Sequence, residues 1–202
     1  MIEAKEALAR LKEGNLRFTS GKGGRDLDFE HARRLETVED QAPFAIVLGC
    51  SDSRVPLELI FDQGMGDLFV IRVAGNIAAR SQLGSVEFAA EKFGTPLLVV
   101  LGHSKCGAVA ASVDEVMSPS GRLTPNLEVI VERIRPAVQS RLSQEPESSR
   151  EELLDKVVED NVRATVNGLV CSSSLLDKRV QNGDLLIVGA EYSLETGSVE
   201  FF

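Results

Sequence analysis

Phe44-Ala45-Ile46-Val47-Leu48-Gly49 is a nearly continuous apolar run closed by glycine, and Cys50-Ser51-Asp52-Ser53-Arg54 follows it at once. The run is strand-sized and aliphatic, and it lacks the polar alternation of a strand with one face in water. It therefore predicts a parallel strand buried on both faces. Leu97-Leu98-Val99-Val100-Leu101-Gly102 repeats the pattern, opened by Pro96 and followed by His103-Ser104-Lys105-Cys106. Between the two lie a further strand, Asp67 to Val73, and a helix, Gly84 to Phe93, with Val86, Ala89, Ala90 and Phe93 on one side. Another helical pattern starts at Gly107. Strand alternating with helix predicts an α/β fold, a mostly parallel central sheet flanked by helices. Gly183 to Gly189 supplies another strand, and Ser198 to Phe202 an antiparallel edge strand returned by a hairpin around Glu195-Thr196-Gly197.

The stretch from Thr124 to Val180 is helical in character with a break at Gln144 to Ser149, and Leu153, Leu154, Val157, Val158, Val162, Val166 and Leu169 form an apolar stripe along it. Residues 1–40 read as a helical arm: an amphipathic helix over 2–18 with Ala4, Leu8, Leu11 and Phe18 apolar, a flexible break at Ser20 to Gly24, and a charged helix from Asp28 to Glu39. Such an arm is expected to pack on a partner subunit. A chain of 202 residues with 43% hydrophobic content is long enough for one substantial core, so residues 1–202 are expected to form a single domain.

Composition narrows the function. The net charge of −9 carries no basic cluster, which argues against nucleic acid as a partner. No apolar run approaches the ~20 residues of a membrane span, and Met1 to Glu6 lack an export signal, so a cytoplasmic protein is expected. In a reducing compartment three cysteines serve as metal ligands or buried apolar groups rather than disulfides. Gly64-Met65-Gly66 precedes its strand, so it reads as a turn and not as a dinucleotide loop.

Cys50, His103 and Cys106 stand just past two parallel strands, where open α/β sheets place their ligands. Thiolate and imidazole are donors that zinc prefers, and three protein ligands leave a fourth position for water, as in a catalytic centre. With only His31 and His103, a three-histidine site is excluded, and three cysteines cannot make a closed four-cysteine site. Zinc lowers the pKa of bound water so that hydroxide forms near neutral pH. Two thiolates oppose this by cancelling the ion's charge, so a hydrogen-bond acceptor nearby becomes valuable. Asp52, held as a carboxylate by bidentate pairing with Arg54, can accept the proton of that hydroxide and aim its lone pair at an electrophile. Cys171 reads as a small buried hydrophobe and His31 as a surface residue of a charged helix.

The text Cys50-Ser-Asp52-Ser-Arg54 with His103-Ser-Lys-Cys106 resembles the β-class carbonic anhydrases, and the likeness extends through Phe69 to Arg72, Gly75-Asn76, Gly84 to Phe88 and Gly189 to Tyr192 with Thr196-Gly197. The resemblance implies one Zn²⁺ per chain on Cys50, His103 and Cys106, an Asp52–Arg54 dyad, and reversible hydration of CO₂ to bicarbonate and a proton through zinc-bound hydroxide. It also implies a homodimer or a dimer of dimers, with the pocket at the dimer interface drawing residues from both chains. Within that pocket it implies Gln41, nine residues before Cys50, as a hydrogen-bond donor to bicarbonate and Phe69 and Phe88 as the apolar lining; separately, the Gly107 N–H, at a helix start, is placed to hold an anion. Phe88 stands where plant-like members carry Tyr, so a hydroxyl is missing there. A subset of the family binds inhibitory bicarbonate through Trp, Arg and Tyr and swings the aspartate onto zinc. This chain has Arg72 and Tyr192 but Val47 in place of the Trp, and no Trp at all, which predicts the plant-like, non-switching type.

Two rivals keep parts of this reading. Relatives of the family hydrolyse carbonyl sulfide or carbon disulfide with the same attacking group. A zinc-stabilised interaction protein without turnover would need a closed fourth ligand and no aspartate–arginine pair, whereas Asp52 and Arg54 are both present.

Overall fold

Alternate residues of the apolar runs point to opposite faces of a strand, and in this chain both faces are covered. In the computed structural model, which describes residues 2–24, 27–119 and 121–202 (27–31 by backbone alone), β1 is Ala45–Gly49, β2 Leu68–Arg72, β3 Leu97–His103, β4 Leu186–Tyr192 and β5 Val199–Phe201. They form one sheet in the order β2-β1-β3-β4-β5, parallel except for the antiparallel β4–β5 pair. Every residue of β1 and β3 is buried. That explains their unbroken apolar text.

The helices are α1 Ala4–Thr19, α2 Leu27–Glu36, α3 Leu57–Ile60, α4 Arg80–Lys92, α5 Gly107–Met117, α6 Pro125–Gln144, α7 Arg150–Ser172 and α8 Ser174–Gln181. Ala45, Val47, Leu97, Val99 and Leu101 face one core with Ala7 and Leu11 of α1 and Leu57, Ile60 and Phe61 at α3. Ile46, Leu48, Leu98 and Val100 face the other, with Val86, Ala89 and Ala90 of α4, Val162 and Leu169 of α7 and Leu176 of α8. A third cluster joins α5, α6 and the first half of α7, and it includes Cys50 and Cys106. The break between α6 and α7 coincides with Gln144 to Ser149, where Ser149 and Glu152 form a reciprocal capping box.

The arm finds its first partner within its own chain. Ala7 and Leu11 are fully buried against the sheet. Asn15 donates to the carbonyls of Ile60 (3.1 Å) and Gly197 (2.9 Å) and accepts from the Val199 N–H (2.9 Å). Gly14 faces the Phe61 carbonyl so closely that an added Cβ would lie 1.8 Å from its oxygen. In α2, Arg33 donates to the Met65 carbonyl and pairs with Asp67, both at 2.6 Å.

Two boundaries differ from expectation. The strand expected over 183–189 begins only at Leu186, because Gly183 (φ 78°) is still completing the turn after α8, its N–H on the Val180 carbonyl. It then runs on to Tyr192, since Glu191 and Tyr192 pair with β3 on one side and β5 on the other. The helix expected from Gly84 starts at Arg80, with Gly84 inside it.

Candidate metal centre

The carboxyl ends of β1 and β3 lie side by side, with Gly49 opposite Leu101. Cys50 is the first residue beyond β1, His103 is the last of β3, and Cys106 is the N-cap of α5. Lys105 adopts a left-handed conformation (φ 57°) that turns the chain between the last two. The result is that the sulfurs of Cys50 and Cys106 and a ring nitrogen of His103 lie within 4.8 Å of one another, all three residues buried. His103 shares its Nδ1 hydrogen bond with the Ser104 carbonyl (2.9 Å), which leaves Nε2 as the lone-pair nitrogen, and Nε2 is buried without a hydrogen-bond partner. An orphaned imidazole nitrogen facing two sulfurs is the donor set of a zinc site, so these residues fit that ion.

Electrostatics sharpen the cluster. Hydrogen bonding from Cys106 lowers the pKa of Cys50 to about 4, against burial that raises it, with His103 and the backbone N–H groups of Gly75 and Asp52 helping. The same contact and burial push Cys106 up. Burial pulls His103 down, but the Cys50 sulfur, the Ser104 carbonyl and Asp52 outweigh it and raise its pKa.

Beside the triad, Asp52 is gripped by Arg54. The Arg54 Nε donates to Oδ1 (2.9 Å), Nη2 to Oδ2 (2.8 Å), and the Arg54 backbone N–H to Oδ1 (2.9 Å). The guanidinium holds the Asp52 carboxyl well below the usual carboxylate range. Arg54 also donates to the Lys105 carbonyl (3.3 Å), tying the loop after β1 to the loop after β3. Asp52 Oδ2 stands 3.9 Å from His103 Nε2.

Two contacts at the site were not anticipated. Arg72, at the end of β2 and in register with Gly49, donates to the carbonyls of Cys50 (3.0 Å) and Asp52 (2.6 Å). The Gly75 N–H donates to the Cys50 sulfur (3.3 Å). The sequence signal for Arg72 was its place, a cation at the carboxyl end of the strand beside β1. A cleft of about 350 Å³ between α5 and α7 has Cys106, Val109, Ala110, Leu154 and Val158 in its walls but neither Asp52 nor Arg54, so it offers no room for chemistry at the dyad.

Residues 45–199 match the sequence profile of the carbonic anhydrase family, and they include the triad and the dyad. The chain belongs to the β-carbonic anhydrase family. Carbonic anhydrase 2 of Mycobacterium tuberculosis is 39% identical over 191 residues, which are 93% of this chain and 87% of that one. Carbonic anhydrase of Mycolicibacterium smegmatis is 39% identical over 193 residues, 94% and 89% of the two chains. A β-carbonic anhydrase structure from Aspergillus fumigatus superposes with a TM-score of 0.74 at 27% identity, covering 98% of this chain and 89% of that one.

The pocket residues that the β-carbonic anhydrase resemblance implies do not gather at the triad in one chain. Gln41 is exposed and precedes β1, at the end of the strand opposite Cys50. Phe69 pairs in register with Ile46, four residues before Cys50 and so about 13 Å back along the strand. It packs on Phe88 of α4 (ring centroids 6.2 Å apart), which is 52% exposed. Gly107 is different: it opens α5 directly after Cys106 and is exposed. Cys171 corrects an expectation, for it is exposed and not buried. Leu169 takes the core-facing position, and two further residues turn the helix about 200°. The side chain of His31 lies outside the described residues. No helix among the described residues is long and apolar enough to cross a membrane.

Proposed function

We propose that this chain, acting as a single domain, catalyses the reversible hydration of carbon dioxide to bicarbonate and a proton, with one zinc ion per chain on Cys50, His103 and Cys106. The observation that carries the reading is the convergence of two sulfurs and an unpartnered imidazole nitrogen within 4.8 Å, beside an aspartate already paired to arginine. A zinc ion held there would act as a Lewis acid toward water. The Arg54 guanidinium holds the Asp52 carboxyl well below the usual carboxylate range, and its Oδ2, the oxygen 3.9 Å from His103 Nε2, would accept the hydrogen bond that orients the attacking group. Arg54 keeps that carboxylate from rotating, and Arg72 keeps its backbone from drifting.

The substrate pocket is completed by a second copy of the chain. Gln41 lies before the start of β1 and Phe69 about 13 Å back along β2, too far to serve their own triad, while β2 is an edge of the sheet and Phe88 of α4, packed on Phe69, is 52% exposed. A homodimer that brings these residues to the neighbouring triad, with the Gly107 N–H as the local anion contact, reconciles both facts. Pairing of dimers extends the same scheme. Three features support the plant-like, non-switching type: Val47 in place of Trp, Asp52 on Arg54, and Arg72 engaged by two carbonyls. Two buried thiolates must escape oxidation, which suits the cytoplasm.

The test couples elemental analysis to a stopped-flow pH-indicator assay with dissolved CO₂. Zinc near one per chain with CO₂ hydration, both lost in Cys50→Ser, is expected. Zinc without hydration, but with hydrolysis of carbonyl sulfide, would replace the substrate and keep the site.

A further inference from the structure

Asn161 interrupts an apolar stripe. It lies on α7 among Val157, Val158 and Val162, and it is 2% exposed. A buried amide is costly unless it is hydrogen-bonded. Its Nδ2 donates to the Gly75 carbonyl at 2.9 Å, across 86 residues of sequence.

Gly75 is the residue whose N–H meets the Cys50 sulfur. It sits in the left-handed region (φ 71°, ψ 19°), and an added Cβ would lie 2.7 Å from Ile134 Cδ1 and 3.1 Å from Ala108 Cβ, so only glycine fits. Glycine is also the residue least able to hold its own backbone, having no side chain to pack. Whatever fixes the peptide on the sulfur must come from outside. The hydrogen bond from Asn161 grips the carbonyl on one side of the Gly75 Cα while the N–H on the other side points at Cys50.

We infer that Asn161 is a positioning residue for the metal site: by holding the Gly75 carbonyl it fixes the backbone at Gly75, so that the Gly75 N–H on the other side of the Cα stays on the Cys50 sulfur. The inference rests on the zinc reading above. Groups that orient metal ligands from outside the coordination sphere are commonly worth ten- to a hundred-fold in metal affinity or activity. An apolar residue of similar size would suit the stripe on α7 equally well and would leave Gly75 unheld.

The experiment uses the full chain loaded with zinc and, separately, with cobalt. In Asn161→Leu the zinc dissociation constant, read by chelator competition, should rise by about ten-fold or more. The sulfur-to-cobalt charge-transfer absorption should move to longer wavelength, because the sulfur has lost a donor. Loosened helix packing alone would not move that band. A folded Asn161→Leu protein with wild-type zinc affinity and an unmoved band overturns the inference and leaves the function standing, whereas a wild type that holds no zinc overturns both. If Asn161→Leu does not fold, Asn161→Ala takes its place with the same two readouts. In the cadmium-loaded wild type, a scalar coupling between the metal nucleus and the Gly75 amide proton is expected through the Cys50 sulfur, and its absence also overturns the inference.

Discussion

Asp52 accepts three hydrogen bonds from Arg54 and lies on the exposed side of a buried triad, so its carboxylate is fixed in place before any substrate arrives. Asn at this position would keep the size and remove the charge and one acceptor oxygen. Asp52→Asn is therefore expected to keep zinc and lose about 100- to 1,000-fold in the rate of CO₂ hydration, measured by stopped flow. The pairing with Arg54 puts the folded-state pKa of Asp52 below its unfolded value. Its contribution is thus present above the unfolded pKa and disappears only as pH falls through the folded one. An acid limb of activity near neutral pH would belong to another group.

At the scale of elements, α1 docks on its own chain through a glycine. Gly14 allows the helix to approach the Phe61 carbonyl, and nothing larger fits between them, because the obstacle is backbone. Gly14→Ala should destabilise the fold by about 3 kcal/mol in urea unfolding, the upper range for forced overpacking. It should also expose α1 to limited proteolysis, since Asn15, the next residue, holds α3, the turn at Gly197 and β5 through three hydrogen bonds that need the same close approach. The edge strand β2 is short and half-buried, with its outer side free of any strand partner in the sheet order. That is the part of the molecule where a second copy is proposed to sit.

For the whole molecule, the proposed division of the pocket between two chains makes activity depend on assembly. Phe88→Asp places a charge on the exposed member of the aromatic cluster of Phe69, Phe88 and Phe93. The variant should sediment as a monomer, keep zinc and lose CO₂ hydration; a monomer with full activity would show that one chain suffices. A different long-range effect concerns Glu191 of β4. Burial raises its pKa above the ordinary 4.5, and the charges of Glu159, Asp155 and Glu200 add to this. A carboxyl with a raised folded-state pKa is best tolerated below its unfolded pKa, and it weakens the fold as pH climbs through the folded value. Glu191→Gln should accordingly melt at a higher temperature than wild type at about pH 8, with the gap closing toward about pH 4.

The chain alone determined its strands, its ligand types and its dyad, because these depend on short-range order. A buried parallel strand must be apolar on both faces, so β1 and β3 declare themselves in unbroken runs. Asp52 and Arg54, two residues apart, can meet without help from the rest of the fold. The tertiary structure decided everything that crosses between elements. Arg72 reaches the Cys50 and Asp52 carbonyls because β2 pairs with β1 in the register that sets Arg72 beside Gly49. Asn161 reaches Gly75 because α7 packs on the sheet closely enough for Val162 to press on Gly102 and Gly189. The arm's docking on its own sheet, the exposure of Cys171 and the run of β4 out to Tyr192 were set in the same way. Strand register and helix packing depend on the summed fit of many distant side chains, and no local stretch of sequence contains that sum.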